Sequence, residues 1–220
     1  MQYAELVKTV KSYVENDFPA TLGTSGLTST EQTDTFIKLA EQRIYNAAQI
    51  LALRKNVTGT TTISNAYLSL PSDWLAPYSL AVVDPTTGAY TYLDNKDVNY
   101  IREAYPIPTS TEKPMHYANF DADTILLGPT PDAAYSVQMH YFYYPESIVT
   151  ANTTWLGDNF DTVLLYGTLL EAYVFMKGEE DVITAYKTQY DAAIFQLKQL
   201  AEGKDRMDTY RVEQPRVPVS

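Results

Sequence analysis

The 220-residue chain contains no cysteine and only two histidines. The absence of cysteine excludes disulfides, thiolate nucleophiles, zinc–thiolate sites and iron–sulfur clusters. Because histidine is the most frequent general base, a catalytic or metal site would have to be built around His116 or His140, and neither lies in a suitable motif. Asp121 and Asp123 could hold a cation, but a solvated turn is the preferred interpretation. With no glycine-rich phosphate loop either, the sequence predicts a non-enzymatic protein without cofactor or metal.

Positive charge and long apolar runs are also scarce. The chain has 16 Lys and Arg against 27 Asp and Glu, a net charge of −11. Binding of nucleic acid needs cations for phosphate contacts, whereas an acidic wall would let DNA pass without sticking. The longest apolar run, 163–176, is about 14 residues and contains Glu171, too short and too polar to cross a bilayer. The start shows no signal peptide. We therefore expect neither DNA binding nor membrane association.

What the chain has in excess is tyrosine, with 19 residues. Tyrosine gives a large amphipathic contact area at low entropic cost, so it suits both half-buried strands and protein interfaces. The hydrophobic fraction of 45% and the charged fraction of 20% are ordinary for a globular domain.

Helical spacing of apolar residues predicts four main helices, at residues 3–15, 29–54, 158–177 and 179–203. The second begins at a capping box, either Thr28 with Glu31 or Ser29 with Gln32. The third is apolar almost all round and should be the buried centre of a bundle. We expect Asp158 to cap its start and Gly178 to end it.

Between these helical pairs, residues 57–146 are rich in Pro, Gly, Thr and β-branched residues, which indicates short strands and turns. We expect a short helix at 95–105. The best predicted strand pair joins 123–128 to 135–144 through a proline-containing turn, with Val137, Met139, Tyr141 and Tyr143 on one face of the second strand.

Each helical pair has an apolar face that it cannot cover alone, so we expect the pairs to pack together. The predicted fold is α+β: a four-helix bundle (two N-terminal and two C-terminal helices, residues 1–56 and 151–203) with an inserted small antiparallel β domain (57–150) and an extended C-terminal tail (204–220).

Three single residues have two interpretations each. Glu171, inside an apolar helix, could be a proton-sensitive latch or a general acid, or it could face the wet side of the bundle or pair with an arginine such as Arg43. Trp74 and Trp155 could recognise a ligand, although a tryptophan at a domain boundary more often closes a core.

Several segments together resemble the tail adaptor (head-to-tail connector) proteins of short-tailed bacteriophages. The similarity covers most of residues 30–210 and rests on the order and spacing of these stretches: Leu70-Pro71-Ser72-Asp73-Trp74, Gly128-Pro129-Thr130-Pro131, Tyr141-Phe142-Tyr143-Tyr144-Pro145, Leu164 through Tyr173, Phe175 through Asp181, and the helix with Tyr186 and Tyr190.

The resemblance implies a structural virion protein in the tail or neck, assembled in the host cytoplasm. It implies a twelve-fold homo-oligomeric ring that binds the portal protein above and the tail nozzle or fibre proteins below. The ring would continue the DNA channel used in DNA ejection, with DNA passing through without specific binding. The C-terminal extension would reach the portal, and its predicted portal-binding residues are Arg206, Tyr210, Arg211, Val212 and Arg216. Arginine suits bidentate contacts with carboxylates on such a partner.

Two other classes stay open. A carbohydrate- or protein-binding module would use the aromatic-rich β insert through Trp74 and neighbouring tyrosines, and would be recognised by an exposed aromatic platform. A carboxylate-pair hydrolase would show turnover that depends on Glu171.

Overall fold

The fold was analysed in a computed structural model, which describes residues 1–19, 26–48 and 50–206, without the side chains of residue 51 and of residues 202–206. The chain divides into two compact units. The helical unit comprises residues 1–52 and 145–220, and the β unit comprises residues 53–144.

The described residues form seven α-helices, of which only α3 belongs to the β unit. Their bounds are α1 Tyr3–Val14, α2 Ser29–Ala47, α3 Val98–Ala104, α4 Ile148–Ala151, α5 Trp155–Asn159, α6 Asp161–Met176 and α7 Glu180–Arg206. None of these helices is both long and apolar enough to span a lipid bilayer.

Helix α2 begins at the first of the two predicted capping boxes. The Thr28 side chain accepts the Glu31 N–H, and the Glu31 carboxylate accepts the Thr28 N–H at 2.8 Å. The predicted end of this helix near Arg54 is wrong, because α2 stops at Ala47. A short 3₁₀ turn, Leu51–Leu53, follows, and Arg54 already belongs to a strand.

Helix α6 is the centre of the helical unit and packs against α1, α2 and α7. Residues 163–172 are mostly buried, as the all-round apolar pattern predicts. The prediction is wrong at the helix end, where Val174 is 62% and Phe175 45% exposed. The last turn of α6 therefore places apolar side chains on the surface of this unit.

The predicted boundaries of α6 are each displaced. Asp158 does not cap this helix but lies inside α5, whose N-cap is Thr154, accepting the Gly157 N–H. At the other end, the left-handed residue that stops α6 is Lys177. Gly178 follows it, and glycine is needed there because a Cβ would collide with the Tyr173 ring.

Helix α7 continues through Gly203 to Arg206, although the pattern predicted an end at Gly203. Glycine weakens a helix interior by only about 1 kcal/mol, which the preceding turns can outweigh. The predicted extended tail from 204 is thus wrong for its first three residues, and residues 207–220 lie outside the described residues.

The β unit contains two four-stranded sheets among the described residues. The first has strand order β1-β8-β3-β4, and all its pairs are antiparallel. The second has order β2-β7-β6-β5, with only β5 parallel to its neighbour. The strand bounds are β1 Arg54–Thr60, β2 Tyr67–Ser69, β3 Ala76–Val83, β4 Tyr90–Tyr92, β5 Asp94–Asn95, β6 His116–Asn119, β7 Thr124–Gly128 and β8 Ser136–Phe142.

The predicted pairing of 123–128 with 135–144 is wrong, since β7 and β8 lie in different sheets. Pro129 and Pro131 follow β7 directly and lack the N–H groups that a tight two-stranded ladder needs, so the chain leaves one sheet and enters the other. The face prediction for β8 is confirmed: Val137, Met139 and Tyr141 are buried and Tyr143 packs against the same core, whereas Gln138, His140 and Phe142 are only half-buried.

Both sheets contribute to the core of the β unit. The core cluster includes Leu80 and Val82 from β3, Ile125 and Leu127 from β7, and Tyr141 from β8. Helix α3 covers the second sheet through a smaller cluster of Ile101, Ala118 and Leu126. A core of this size makes residues 53–144 a compact unit in its own right.

Mixed helix and strand content is therefore correct, but the predicted four-helix bundle with a small β insert is wrong. The helical unit has two additional short helices, α4 and α5, in the stretch interpreted as a junction. Ser147 and Thr154 start them by accepting backbone N–H groups, a local signal too short to show apolar periodicity. The β component is large, with eight strands in the described residues.

Candidate interaction surfaces

The titratable residues singled out in the sequence do not converge on one site. His116 accepts or donates a hydrogen bond at 2.8 Å between its Nδ1 and the Tyr105 hydroxyl, and His140 lies half-buried in β8. Asp121 accepts the Asp123 N–H in an exposed turn, so the interpretation as a solvated turn is confirmed. Within the described ranges, no group of three His, Asp or Glu residues is placed to hold a metal ion.

Glu171 pairs with Arg43, as one of its two interpretations predicted. The pair joins α6 to α2, with the Glu171 side chain 14% and the Arg43 side chain 50% exposed. Burial raises the pKa of the Tyr190 hydroxyl, against the charge of Arg43, and this hydroxyl has no hydrogen-bond partner within the described parts of the chain. The closeness of α6 to its neighbours is set by Gly167, where a Cβ would contact Ala40 and Tyr190.

Among the described residues, the carboxylate buried most deeply is Glu41, which sequence reasoning missed. Its side chain lies on α2, is 3% exposed, and accepts the Ile148 N–H at 2.9 Å. Burial raises the pKa of the Glu41 carboxyl, against the hydrogen bonds from Ile148 and Ser147 and the nearby Lys38 ammonium, which lower it. Glu41 thus fastens α4, where the chain returns to the helical unit, onto α2. Glu41 lies on the same apolar stripe of α2 as Ile37 and Ile44, and this position is the sequence signal that could have predicted its burial.

In the β unit, the Leu70–Trp74 stretch has a structural role. The Asp73 carboxylate accepts a hydrogen bond from the Tyr141 hydroxyl at 2.8 Å and pairs with Lys55 at 2.7 Å. These two bonds lower the pKa of the Asp73 carboxyl. Trp74 packs against the core cluster, so it is no exposed platform, and Trp155 in the helical unit packs beside Phe160 at 5.7 Å.

Other aromatic and aliphatic side chains of the β unit do face solvent. The most exposed are Ile63, Tyr90, Tyr92, Ile107 and Met115, each more than half exposed. A cavity of ≈ 330 Å³ lies between α3 and the second sheet and is lined by residues including Tyr67, Ile101, Arg102, Tyr105 and Leu126. Some tyrosines of the β unit are therefore packed, and others are exposed to solvent.

A tyrosine cluster marks the surface of the helical unit. Tyr166 and Tyr173 of α6 surround Tyr186 of α7, with ring centroids 6.0 and 5.1 Å away. Burial and the hydrogen bond with Tyr173 raise the pKa of Tyr186 to about 12. The cluster fixes α7 against α6.

The predicted portal-binding residues cannot be placed as a group. Arg206 is the last residue of α7, and its side chain is not described. Tyr210, Arg211, Val212 and Arg216 lie outside the described residues. The structure therefore shows only that this segment begins at the end of α7.

The chain passes twice between two compact units, and each unit exposes apolar and aromatic side chains. Exposed apolar surface of this kind is typical of proteins that contact other proteins. The profile of the SU10 adaptor protein family matches residues 1–217. The chain therefore belongs to this family, which confirms the resemblance to phage tail adaptors and makes it a structural adaptor of the virion. No curated protein matches the chain.

Proposed function

We propose that the protein is the subunit of a twelve-fold ring that joins the portal to the tail nozzle or fibres and continues the DNA channel. The family match over residues 1–217 is the observation that carries this proposal. The ring would lie in the neck or tail of the virion, after assembly in the host cytoplasm, and would act by binding rather than by catalysis.

The division into two units supports an adaptor. An adaptor must present different surfaces to different neighbours, and here each unit has its own core and its own exposed apolar side chains. One unit can thus be committed to one partner without disturbing the packing of the other.

The C-terminal segment is the proposed anchor on the portal. It carries Arg206, Arg211 and Arg216 close to Tyr210 and Val212, in a chain of net charge −11. Arginine can form bidentate pairs with carboxylates of a partner, and the two apolar side chains can fill pockets there.

Deletion of residues 207–220 tests this anchor. We expect the thermal midpoint of the truncated protein to stay within a few degrees of the full chain, because α7 and the core contacts of the helical unit are retained. Binding to purified portal, measured by biolayer interferometry, should fall at least tenfold. Tyr210→Ala with Arg211→Ala should reproduce part of the loss. Undiminished docking by the truncated protein would assign the anchor to the helical unit instead.

Electron microscopy of the protein mixed with portal tests the ring. Twelve-fold density beneath the portal is the expected result, with mass photometry giving the number of added subunits. A chain that stays monomeric and shows no affinity for portal would refute the proposal. A gel shift at physiological salt should show no complex with DNA, since the ring needs to let DNA pass.

A further inference from the structure

The side of α7 turned away from α6 has an unusual composition. Buried Tyr190, Ile194 and Leu197 define the inner side of this helix. On the outer side a second line of residues repeats with spacings of three and four, and we name it the α7 outer face: Ala185, Thr188, Ala192, Phe195 and Gln199, all exposed. Spacing of this kind forms the seam between two packed helices. Phe195 is 60% exposed at its middle.

None of the five residues is charged, although the chain carries −11 overall. From Ala185 to Gln199 the face runs about 21 Å along the helix. Of the charged residues beside this face, Lys187 and Asp191 pair with each other at 3.3 Å, while Asp181 and Lys198 stand near its two ends. Interface centres are depleted of charge in this way, whereas solvent-facing helix sides usually are not.

A second apolar surface of the same unit lies on α2 and α6. It consists of Leu39, Val174 and Phe175, which are 46%, 62% and 45% exposed, and we name it the α2–α6 patch. The Phe175 ring also contacts Phe36 of α2 at 5.2 Å between centroids, so the patch is anchored on packed residues. Leu39 lies one turn before Arg43, and Val174 and Phe175 lie one turn after Glu171, so the Arg43–Glu171 ion pair joins the two helices beside the patch.

We propose that the α7 outer face of one copy packs on the α2–α6 patch of the next copy. Two copies of an acidic chain repel each other, so they associate most readily through surfaces that carry no net charge. The two surfaces consist of different residues, so a contact between them is head-to-tail, and head-to-tail contacts that close produce a ring. The inference rests on the proposed ring and names the surfaces that form it.

A single contact of this kind is small. A helix side about 21 Å long and about 10 Å wide covers far less than the roughly 800 Å² per partner of a stable complex. Pairs of free subunits should therefore be short-lived. Because every subunit in a closed ring uses both surfaces, closure or a portal template would stabilise many weak contacts at once.

Cross-linking between single-cysteine variants captures such a contact even when it is weak, and the natural chain has no cysteine to interfere. The variants are Ala192→Cys in the α7 outer face, Val174→Cys in the α2–α6 patch, and Ile107→Cys as a control of equal exposure in the β unit. Full-length chains with tags of different size are mixed in pairs and treated with a short bis-maleimide.

We expect the mixture of Ala192→Cys with Val174→Cys to give at least fivefold more mixed dimer than either variant mixed with Ile107→Cys. Introducing Phe195→Glu into the Ala192→Cys chain should abolish this product. The proposal is overturned if Ala192→Cys cross-links to itself as efficiently, which indicates a symmetric dimer, or if the mixed dimer does not exceed the control.

An assembly experiment on the portal distinguishes failure of this inference from failure of the proposed function. In electron micrographs, Phe195→Glu and Val174→Glu should each block the ring, while Ile107→Glu should leave it intact. Rings formed by both blocked variants would overturn the assigned surfaces and leave the adaptor function standing. Failure of the natural chain to form rings, together with specific cross-linking, would instead count against the proposed function.

Discussion

The buried carboxyl of Glu41 offers the sharpest test of the helical unit. Replacement by alanine would leave the Ile148 N–H at the start of α4 without its acceptor and open a small cavity between α2 and α4. A buried donor left unsatisfied costs about 1–3 kcal/mol, and the cavity adds to it. We expect Glu41→Ala to lower the free energy of unfolding by about 2–4 kcal/mol.

Glu41→Gln keeps an acceptor oxygen but removes the titration, so it isolates the pH dependence. Because burial raises the pKa of Glu41 in the folded state, the folded chain holds this proton more tightly than the unfolded chain. The contribution of Glu41 to stability is therefore greatest below the unfolded pKa of about 4.3, and it declines as pH rises towards the folded pKa. The stability of Glu41→Gln relative to the natural chain should increase with pH over that window.

Tryptophan fluorescence can follow the helical unit alone. The chain has two tryptophans, Trp155 in α5 and Trp74 in the β unit. In a Trp74→Phe background, urea unfolding at pH 4.5, 6 and 7.5 would report on Trp155 for the natural residue, Glu41→Gln and Glu41→Ala. A difference between natural residue and Glu41→Gln that stays constant with pH would refute the raised pKa. Loss of a buried hydrogen-bond partner costs about 1–3 kcal/mol. An alanine variant whose free energy of unfolding lies within about 0.5 kcal/mol of the natural chain would therefore refute the proposed role of this hydrogen bond.

Three further outcomes concern the Arg43–Glu171 ion pair, Gly178 and the acidic charge of the chain. Glu171→Gln should retain the fold and ring assembly and lower stability in urea by about 1–3 kcal/mol, because Arg43 loses a mostly buried partner; lost assembly with unchanged stability would contradict this. Gly178→Ala should lower the melting temperature by forcing the Tyr173 ring aside, whereas Gly88→Ala, at positive φ in open space, should cost only about 1 kcal/mol. The isolated protein should not bind DNA at physiological salt, and tight, salt-sensitive binding would contradict the proposal that DNA passes through the ring without sticking.

Long periodic segments were predicted well because one strong signal dominated each of them. The apolar spacing of α1, and the capping box of α2, act over several residues of the same element. The same holds for the alternation in β8, where every second residue is buried. In such segments local preference and tertiary packing agree, so the sequence pattern alone is sufficient.

Predictions failed where the outcome depends on partners distant in sequence. Strand β7 was matched to the next strand along the chain, but its neighbours are β2 and β6. At Gly128, which ends β7, a Cβ would lie 2.8 Å from atoms of Ile101 and Tyr105, so α3 approaches the strand closely. No pattern within 123–144 predicts this contact, because α3 lies more than twenty residues before Gly128 in the sequence.

The candidate interaction surfaces were hard to predict for a different reason: apolar spacing identifies the stripe of a helix that packs inward and assigns no role to an apolar residue outside it. Phe195 illustrates this, since it stands next to Ile194, which is buried. The stripe of α7 that packs on α6 includes Tyr190, Ile194 and Leu197, and Phe195 falls on the opposite side. If α7 packed through this stripe alone, the Phe195 side chain would add nothing to the stability of the helical unit. A second line spaced by three and four, free of charge in an acidic protein, is the signal that could have marked α7 as a helix with two packing sides.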